Sequence, residues 1–235
     1  MKIIMAVLDG GGKSQIYNEM RKYWDLYRKT REPKVFVYFL KSSNDKTMFQ
    51  TNQEYFLDEE TSTLYNYGEE TYFGILEKTR SAIEYFCKTE EFDYFYRTNI
   101  SSMFDFDTMI EYLENNPIEY GGKLENAFDE YEFPSGCGYV LSRKSCNIFL
   151  EHFEEITNEY DLLEDVASGK IMQKYVKMSY IPRITFSYTE DPDILDILDN
   201  DYKEIYHYRC HSDENHYKTI YYMEKIYKKI YESNL

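Results

Sequence analysis

The chain has 235 residues, with 43 acidic side chains against 27 basic ones and a formal charge of −16. Such a balance excludes nucleic acid as a main partner, since phosphate binding needs a basic face, and it leaves any anionic ligand to local donors. Aromatics are 18% of the residues and 27 of them are tyrosines. The chain therefore has apolar surface enough for a core, and the expectation is one α/β domain spanning residues 1–235.

Ile3–Leu8 is a continuous apolar run, as in a strand covered on both faces. It is too short for a signal segment or a membrane span, so a cytoplasmic protein without a membrane span is expected. Asp9-Gly10-Gly11-Gly12 is a flexible turn, and Gly12-Lys13-Ser14 matches only the last three residues of a P-loop. Ser14 can cap a helix with Ile16, Met20, Trp24 and Tyr27 on one face. Lys34–Leu40 is a second buried strand, which implies a parallel pair with a right-handed crossover. Glu54–Tyr67 holds two short apolar runs around an acidic turn, a hairpin or an irregular loop.

Tyr72–Lys88 is expected to be helical, with Ile75, Leu76, Ala82, Ile83 and Phe86 inward, and Phe92–Arg97 is a strand. Asp105 or Asp107 can cap a helix running through Leu113, which Asn116-Pro117 stops. Glu132–Leu141 is a strand entered through proline and glycine. Ser142 can cap a helix with Cys146, Phe149, Leu150, Phe153 and Ile156 at helical spacing. A further helix runs from about Glu164 to Tyr175, Tyr180–Tyr188 and Ile205–Arg209 are late strands, and a helix closes the chain. The alternation gives an α/β fold, a Rossmann-like and mostly parallel sheet flanked by helices. Ligands of such sheets sit beyond the carboxyl ends of strands, which points to Asp9–Gly12 and Arg97–Ser102.

The four cysteines, Cys87, Cys137, Cys146 and Cys210, have no zinc spacing and read as free thiols in a reducing compartment. Glu164-Asp165 places two carboxylates at a helix start, where the helix dipole favours them and where one could also serve as a general base. Gly136 and Gly138 flank Cys137 and fit either a bulge or a surface that a sugar approaches closely. His207, His211 and His216 cluster with Arg209; the strand-like setting of His207 argues against a metal pair and allows His207 or Arg209 to hydrogen-bond a phosphate.

Taken in order, four stretches resemble a glycosyltransferase of the GT-A fold, and within it the β-1,3-galactosyltransferase and Fringe-like group with its small bacterial and giant-virus relatives. They are Lys78-Thr79 in GILEKTRSAIEYF, FDYFYRTNISSMFDFD, FPSGCGYVLSRKSCNIFL and LLEDVASGKIM. The set spans Lys78 to Met172, and YHYRCHSDENHYKTIYYMEKIY resembles a C-terminal element of some relatives. A composition rich in Tyr, Ile, Asn and Lys suits a giant virus, hence a host cytoplasm, or a low-GC bacterium.

The resemblance implies inverting transfer of a sugar from a nucleotide-sugar donor, most simply a UDP-sugar, to a glycan or other hydroxyl acceptor. It casts Asp165 as the base and Glu164 as the residue that orients it. Asp9, Gly10, Lys78, Arg97, Asn99, Ser101, Gly136, Cys137, Gly138, His207 and Arg209 are cast as the donor-binding set. The departure is the DxD motif, whose aspartates would ligate Mn²⁺ or Mg²⁺; this chain offers Thr98, Asn99 and Ser101 in their place. A metal-independent or weakly metal-dependent transferase is therefore expected. The second reading is a catalytically inactive nucleotide-sugar or glycan-binding protein.

Overall fold

The computed structural model describes residues 1–10, 15–31, 34–49, 53–71, 74–127, 130–159, 162–186, 205–210 and 217–232. In chain order the first elements are β1 (Ile3–Leu8), α1 (Gln15–Arg31), β2 (Val35–Ser43), β3 (Tyr55–Asp58), β4 (Thr63–Tyr67) and α2 (Ile75–Thr89). The middle of the chain forms β5 (Tyr94–Asn99), β6 (Ser102–Phe104), α3 (Phe106–Asn115), β7 (Tyr120–Ala127) and β8 (Tyr131–Ser142). Then come α4 (Arg143–Glu151), α5 (Phe153–Thr157), α6 (Glu164–Met172), β9 (Met178–Tyr180), β10 (Ile184–Thr185), β11 (His207–Arg209) and α7 (Tyr217–Tyr227). These fall into two units, residues 1–11, 33–99 and 118–181 in the first and 12–32, 100–117 and 182–235 in the second.

The first unit is built on an eight-stranded sheet in the order β3-β4-β2-β1-β5-β8-β7-β9. β4, β2, β1 and β5 run parallel, β8 lies antiparallel to β5 and β7, and β9 returns parallel to β7. β3 pairs antiparallel with β4, so the expected hairpin alternative at Glu54–Tyr67 is the one that forms. Every residue of β1 is buried, as its unbroken apolar run requires for a central strand. Ile4, Ala6 and Phe95 from the sheet pack with Ala82, Ile83 and Phe86 of α2 in one apolar cluster. Each of the isoleucines and phenylalanines among them contributes about 1.5–3 kcal/mol on burial.

The second unit holds α1, α3, α7 and a three-stranded sheet in the order β10-β11-β6. Trp24 is its fully buried centre, with the indole N–H donating to the Ile100 carbonyl at 2.8 Å and the ring tilted against Phe104. Asp105, one of the two candidate caps, is the cap of α3: its carboxylate accepts from the Thr108 N–H at 3.1 Å. The Tyr231 hydroxyl donates to the Phe104 carbonyl at 2.7 Å and so ties the C-terminal segment to β6.

Two strands depart from the sequence expectation: β6 and β7 form where no strand was expected. The single helix expected after Ser142 is two, broken at His152, whose backbone (φ −102°, ψ 16°) leaves the helical region. Of the late strand expected over Tyr180–Tyr188, Tyr180 ends β9 and Ile184–Thr185 form β10, while Ser187 and Tyr188 lie outside the described residues. Among the described residues no helix is long and apolar enough to cross a membrane.

Candidate active site

The site residues named from the sequence occur in both units. Gly11–Ser14, His211 and His216 lie outside the described residues.

In the first unit Arg97 lies in β5, opposite Ala6 of β1 and Tyr139 of β8, and is only 3% exposed. A guanidinium in that position must find an anion, and α6 supplies it. Arg97 Nη2 donates to Glu164 Oε2 at 2.9 Å. The other carboxylate oxygen, Oε1, accepts from the Tyr139 hydroxyl at 2.6 Å and from the Thr79 hydroxyl of α2 at 3.5 Å. Burial works against the Arg97 charge, but Glu164 foremost, then Tyr139 and Asp165, raise its pKa above the ordinary guanidinium value. Burial is also the largest influence on Glu164 and lifts its pKa, with Arg97 working the other way. Burial first, and Glu164 second, push the phenols of Tyr139 and Tyr120 well above their ordinary value.

Asp165 is the next residue and is only half-buried. It stands in the first turn of α6, where unpaired backbone N–H groups favour a carboxylate. Its Oδ2 accepts from the Gly136 N–H at 2.6 Å and its Oδ1 from the Val166 N–H at 3.0 Å. Two glycines make this seating possible. A Cβ on Gly136 would lie 2.8 Å from Asp165 Oδ2 and 3.1 Å from Arg97 Nη1, and one on Gly169 would lie 2.3 Å from the Phe133 Cβ. Gly169 thus lets α6 lie directly on β8. The group that approaches Gly136 closely in this structure is the carboxylate of Asp165.

The remaining residues of this unit are placed as follows. Gly138 pairs with Thr98 across β5 and β8, and the Thr98 hydroxyl donates to the Cys137 carbonyl at 3.0 Å. Asn99 ends β5 half-buried, opposite Leu8. Asp9 follows β1, is fully buried, and has Lys41 Nζ 3.2 Å from its Oδ2. Gly10 is exposed with open space around it. Lys78 is buried on α2 and its ammonium is engaged by Glu70. A separate cleft of about 480 Å³, lined by Glu54, Asn66, Tyr67, Glu77, Arg80 and Phe153, contains none of the residues named from the sequence.

In the second unit Arg209 of β11 donates to the Ser101 hydroxyl, and the Cys210 N–H donates to the Ser101 carbonyl at 2.8 Å. The His207 ring stacks on Phe104 with centroids 4.4 Å apart, and its Nε2 lies 3.2 Å from the Ser102 hydroxyl. Burial first, then Arg183 and Arg209, hold the His207 pKa well below the ordinary imidazole value. The His207 ring is buried in this unit.

The residues at the end of β5 do not suit a hard dication. Thr98 and Asn99 carry neutral oxygens, and the Thr98 hydroxyl is already directed to a carbonyl. Among the described residues no group of three or more His, Cys, Asp or Glu side chains is placed to hold a metal ion.

Compared by sequence with protein-family models and with curated proteins, the chain matches none. Compared by structure, it matches a glycosyltransferase involved in the glycosylation of the major capsid of PBCV-1. The TM-score is 0.52 at 10% identity, over 95% of this chain and 100% of that one. The chain shares the fold of that protein. HddC from Yersinia pseudotuberculosis also matches, at a TM-score of 0.36 and 12% identity over 76% of this chain and 89% of that one. The same protein complexed with GMP-PN matches at 0.31 and 14%, over 61% and 78%.

Tyr139 and Thr79 complete the polar shell of Glu164 and were not singled out as site residues from the sequence. Tyr139 directly follows Gly138, and alternation along β8 puts it on the face opposite Gly138. Its link to Glu164 spans 25 residues and has no local signal.

Proposed function

We propose that the chain is a glycosyltransferase that moves a sugar from a UDP-linked donor to a hydroxyl of a glycan acceptor with inversion, without a required metal. What supports this reading, besides the fold, is one observation: a half-buried carboxylate, Asp165, is fixed at a helix N-terminus beside a fully buried charge pair. In this mechanism Asp165 accepts the proton of the acceptor hydroxyl as that oxygen attacks the anomeric carbon. The bond from that carbon to the diphosphate oxygen breaks on the opposite side, so the configuration inverts and UDP leaves. Glu164 is the orienting group, tied to Arg97 and Tyr139 and therefore not free to take the proton itself. The acceptor and the Fringe-like affiliation belong to the same proposal.

The absence of carboxylates at the end of β5 favours a second reading, an inactive nucleotide-sugar or glycan binder. Thermal stability against a panel of nucleotides and UDP-sugars, with Mn²⁺ and with EDTA, separates the two from a protein with no nucleotide site. A ligand at a hundredfold excess over its dissociation constant stabilises by about 2.7 kcal/mol. The expected result is a rise in melting temperature with a UDP-sugar that survives EDTA. No rise with any nucleotide contradicts the donor assignment, and a rise that needs Mn²⁺ contradicts metal independence.

A further inference from the structure

Outside this site, the first unit holds the cleft of about 480 Å³, lined by residues of the β3–β4 hairpin, α2 and α5. That volume falls within the range of small-molecule sites, about 300–1,000 Å³. One side chain organises its polar wall. Arg80 of α2 donates through Nη2 to Glu54 Oε2 at 2.6 Å, through Nε to Glu77 Oε2 at 2.9 Å and through Nη1 to Glu84 Oε2 at 2.8 Å. Glu77 and Glu84 lie one turn to either side of Arg80 on α2, and Glu54 directly precedes β3, so a single guanidinium ties the hairpin to the helix. The same guanidinium lies 5.4 Å over the ring of Phe153, the first residue of α5. Asn66 of β4 is fixed by donating from Nδ2 to the Ser81 hydroxyl at 2.9 Å. Tyr67 follows it, 43% exposed, with Phe49 set T-shaped against its ring at 5.6 Å between centroids. Thr79, which stands between Glu77 and Arg80 in sequence, turns instead to Glu164. The cleft and the Asp165 site are thus served by different faces of α2.

We propose that this cleft is a binding site for a neutral saccharide. Sugar hydroxyls both donate and accept hydrogen bonds, and the cleft offers fixed partners of both kinds. Glu54 and Glu77 each spend one oxygen on Arg80, and the other oxygen of each has no hydrogen bond among the described residues. Arg80 spends three of the five N–H groups that a guanidinium carries, and the Asn66 amide adds a mixed donor and acceptor. Tyr67 and Phe153 add apolar ring surface for the C–H groups of a sugar. The charge selects against the alternatives. Two carboxylates line the cleft against one guanidinium, so a phosphate-bearing ligand is repelled, while a cation meets Arg80 and carboxylates already engaged by it. The ion pairs hold these groups in place before a ligand arrives, which lowers the ordering cost of binding. The proposal rests on the cleft alone and does not depend on the glycosyl-transfer reading.

The test titrates the full chain with neutral mono-, di- and trisaccharides built from glucose, galactose, mannose, xylose and N-acetylglucosamine, with binding read by saturation-transfer NMR and calorimetry. At least one of them is expected to bind. Tyr67→Ala should weaken that binding about tenfold, and Glu54→Ala by about the same factor. Both side chains are well exposed, so both variants keep the fold. Asp165→Asn should bind the saccharide as the wild type does, whatever becomes of UDP-sugar binding. Failure of every saccharide to bind overturns the proposal. So does binding that survives both cleft variants, or tighter binding of spermidine than of any saccharide with loss of that binding in Glu54→Ala.

Discussion

In the first unit Arg97 is buried beside a carboxylate; in the second, His207 is buried beside a hydroxyl and an aromatic face. Arg97 keeps its proton because Glu164 lies 2.9 Å away, held in turn by Tyr139 and Thr79. His207 meets a serine hydroxyl and an aromatic face, and burial, with the positive charges of Arg183 and Arg209, disfavours its charged form. A buried ion must find a counter-ion or give up its charge. The difference separates a cluster built around an ion pair from one whose surroundings disfavour an ion. The charged cluster sets a partly exposed carboxylate, Asp165, beside a fixed ion pair. The neutral one closes a small sheet.

The comparison breaks most sharply at Arg97. Arg97→Met strands Glu164 in the interior, and breaking a buried pair in this way costs about 3–5 kcal/mol. Urea denaturation should show that loss, and Arg97→Met with Glu164→Leu should recover most of it. A single variant as stable as the wild type would mean that the pair is not the anchor of the first cluster. Gly169→Ala is the next largest effect, because the new methyl must displace Phe133 of β8; overpacking of this kind costs about 1–3 kcal/mol. The same denaturation curve reads it, and transfer activity should fall with it as α6 lifts Asp165 away from Gly136.

The neutral cluster is sharpened by pH. The folded-state pKa of His207 is lowered, so below the unfolded value of about 6.5 the unfolded chain takes up a proton that the folded chain refuses. Stability is therefore complete above that pH and is lost as pH falls, at up to about 1.4 kcal/mol per pH unit for this one group. His207→Gln should remove that part of the slope in denaturation curves measured across a pH series. An unchanged slope would mean that His207 is protonated in the folded protein. The smallest effect is at the cap of α3, where Asp105→Ala should cost about 1 kcal/mol in the same assay.

Much of the fold was legible because its signals are local. The apolar runs of β1 and β2 are uninterrupted, α2 shows its inward face in Ala82, Ile83 and Phe86, and α4 begins at the expected Ser142 cap. β7 was illegible for a local reason too. Its sequence YGGKLENA reads as a loop, yet Gly121 and Gly122 are demanded by strand packing: a Cβ on Gly121 would lie 3.0 Å from the Ser179 carbonyl and one on Gly122 2.9 Å from the Gly138 carbonyl. At the site, the Glu164-Asp165 pair was visible in the sequence. The division of labour between the two was not, because the ion pair that engages Glu164 joins residues 67 apart. Likewise the burial that neutralises His207 comes from its pairing with β6, a strand with no warning beyond three apolar-to-small residues.

The most direct test of the account measures UDP release from UDP-sugars in the absence of acceptor, for the wild type and for Asp165→Asn. The account predicts slow release by the wild type from at least one UDP-sugar in the presence of EDTA. It predicts that Asp165→Asn is still stabilised by that donor but does not release UDP. Release at the wild-type rate by Asp165→Asn, or no release and no binding of any UDP-sugar by the wild type, would contradict it.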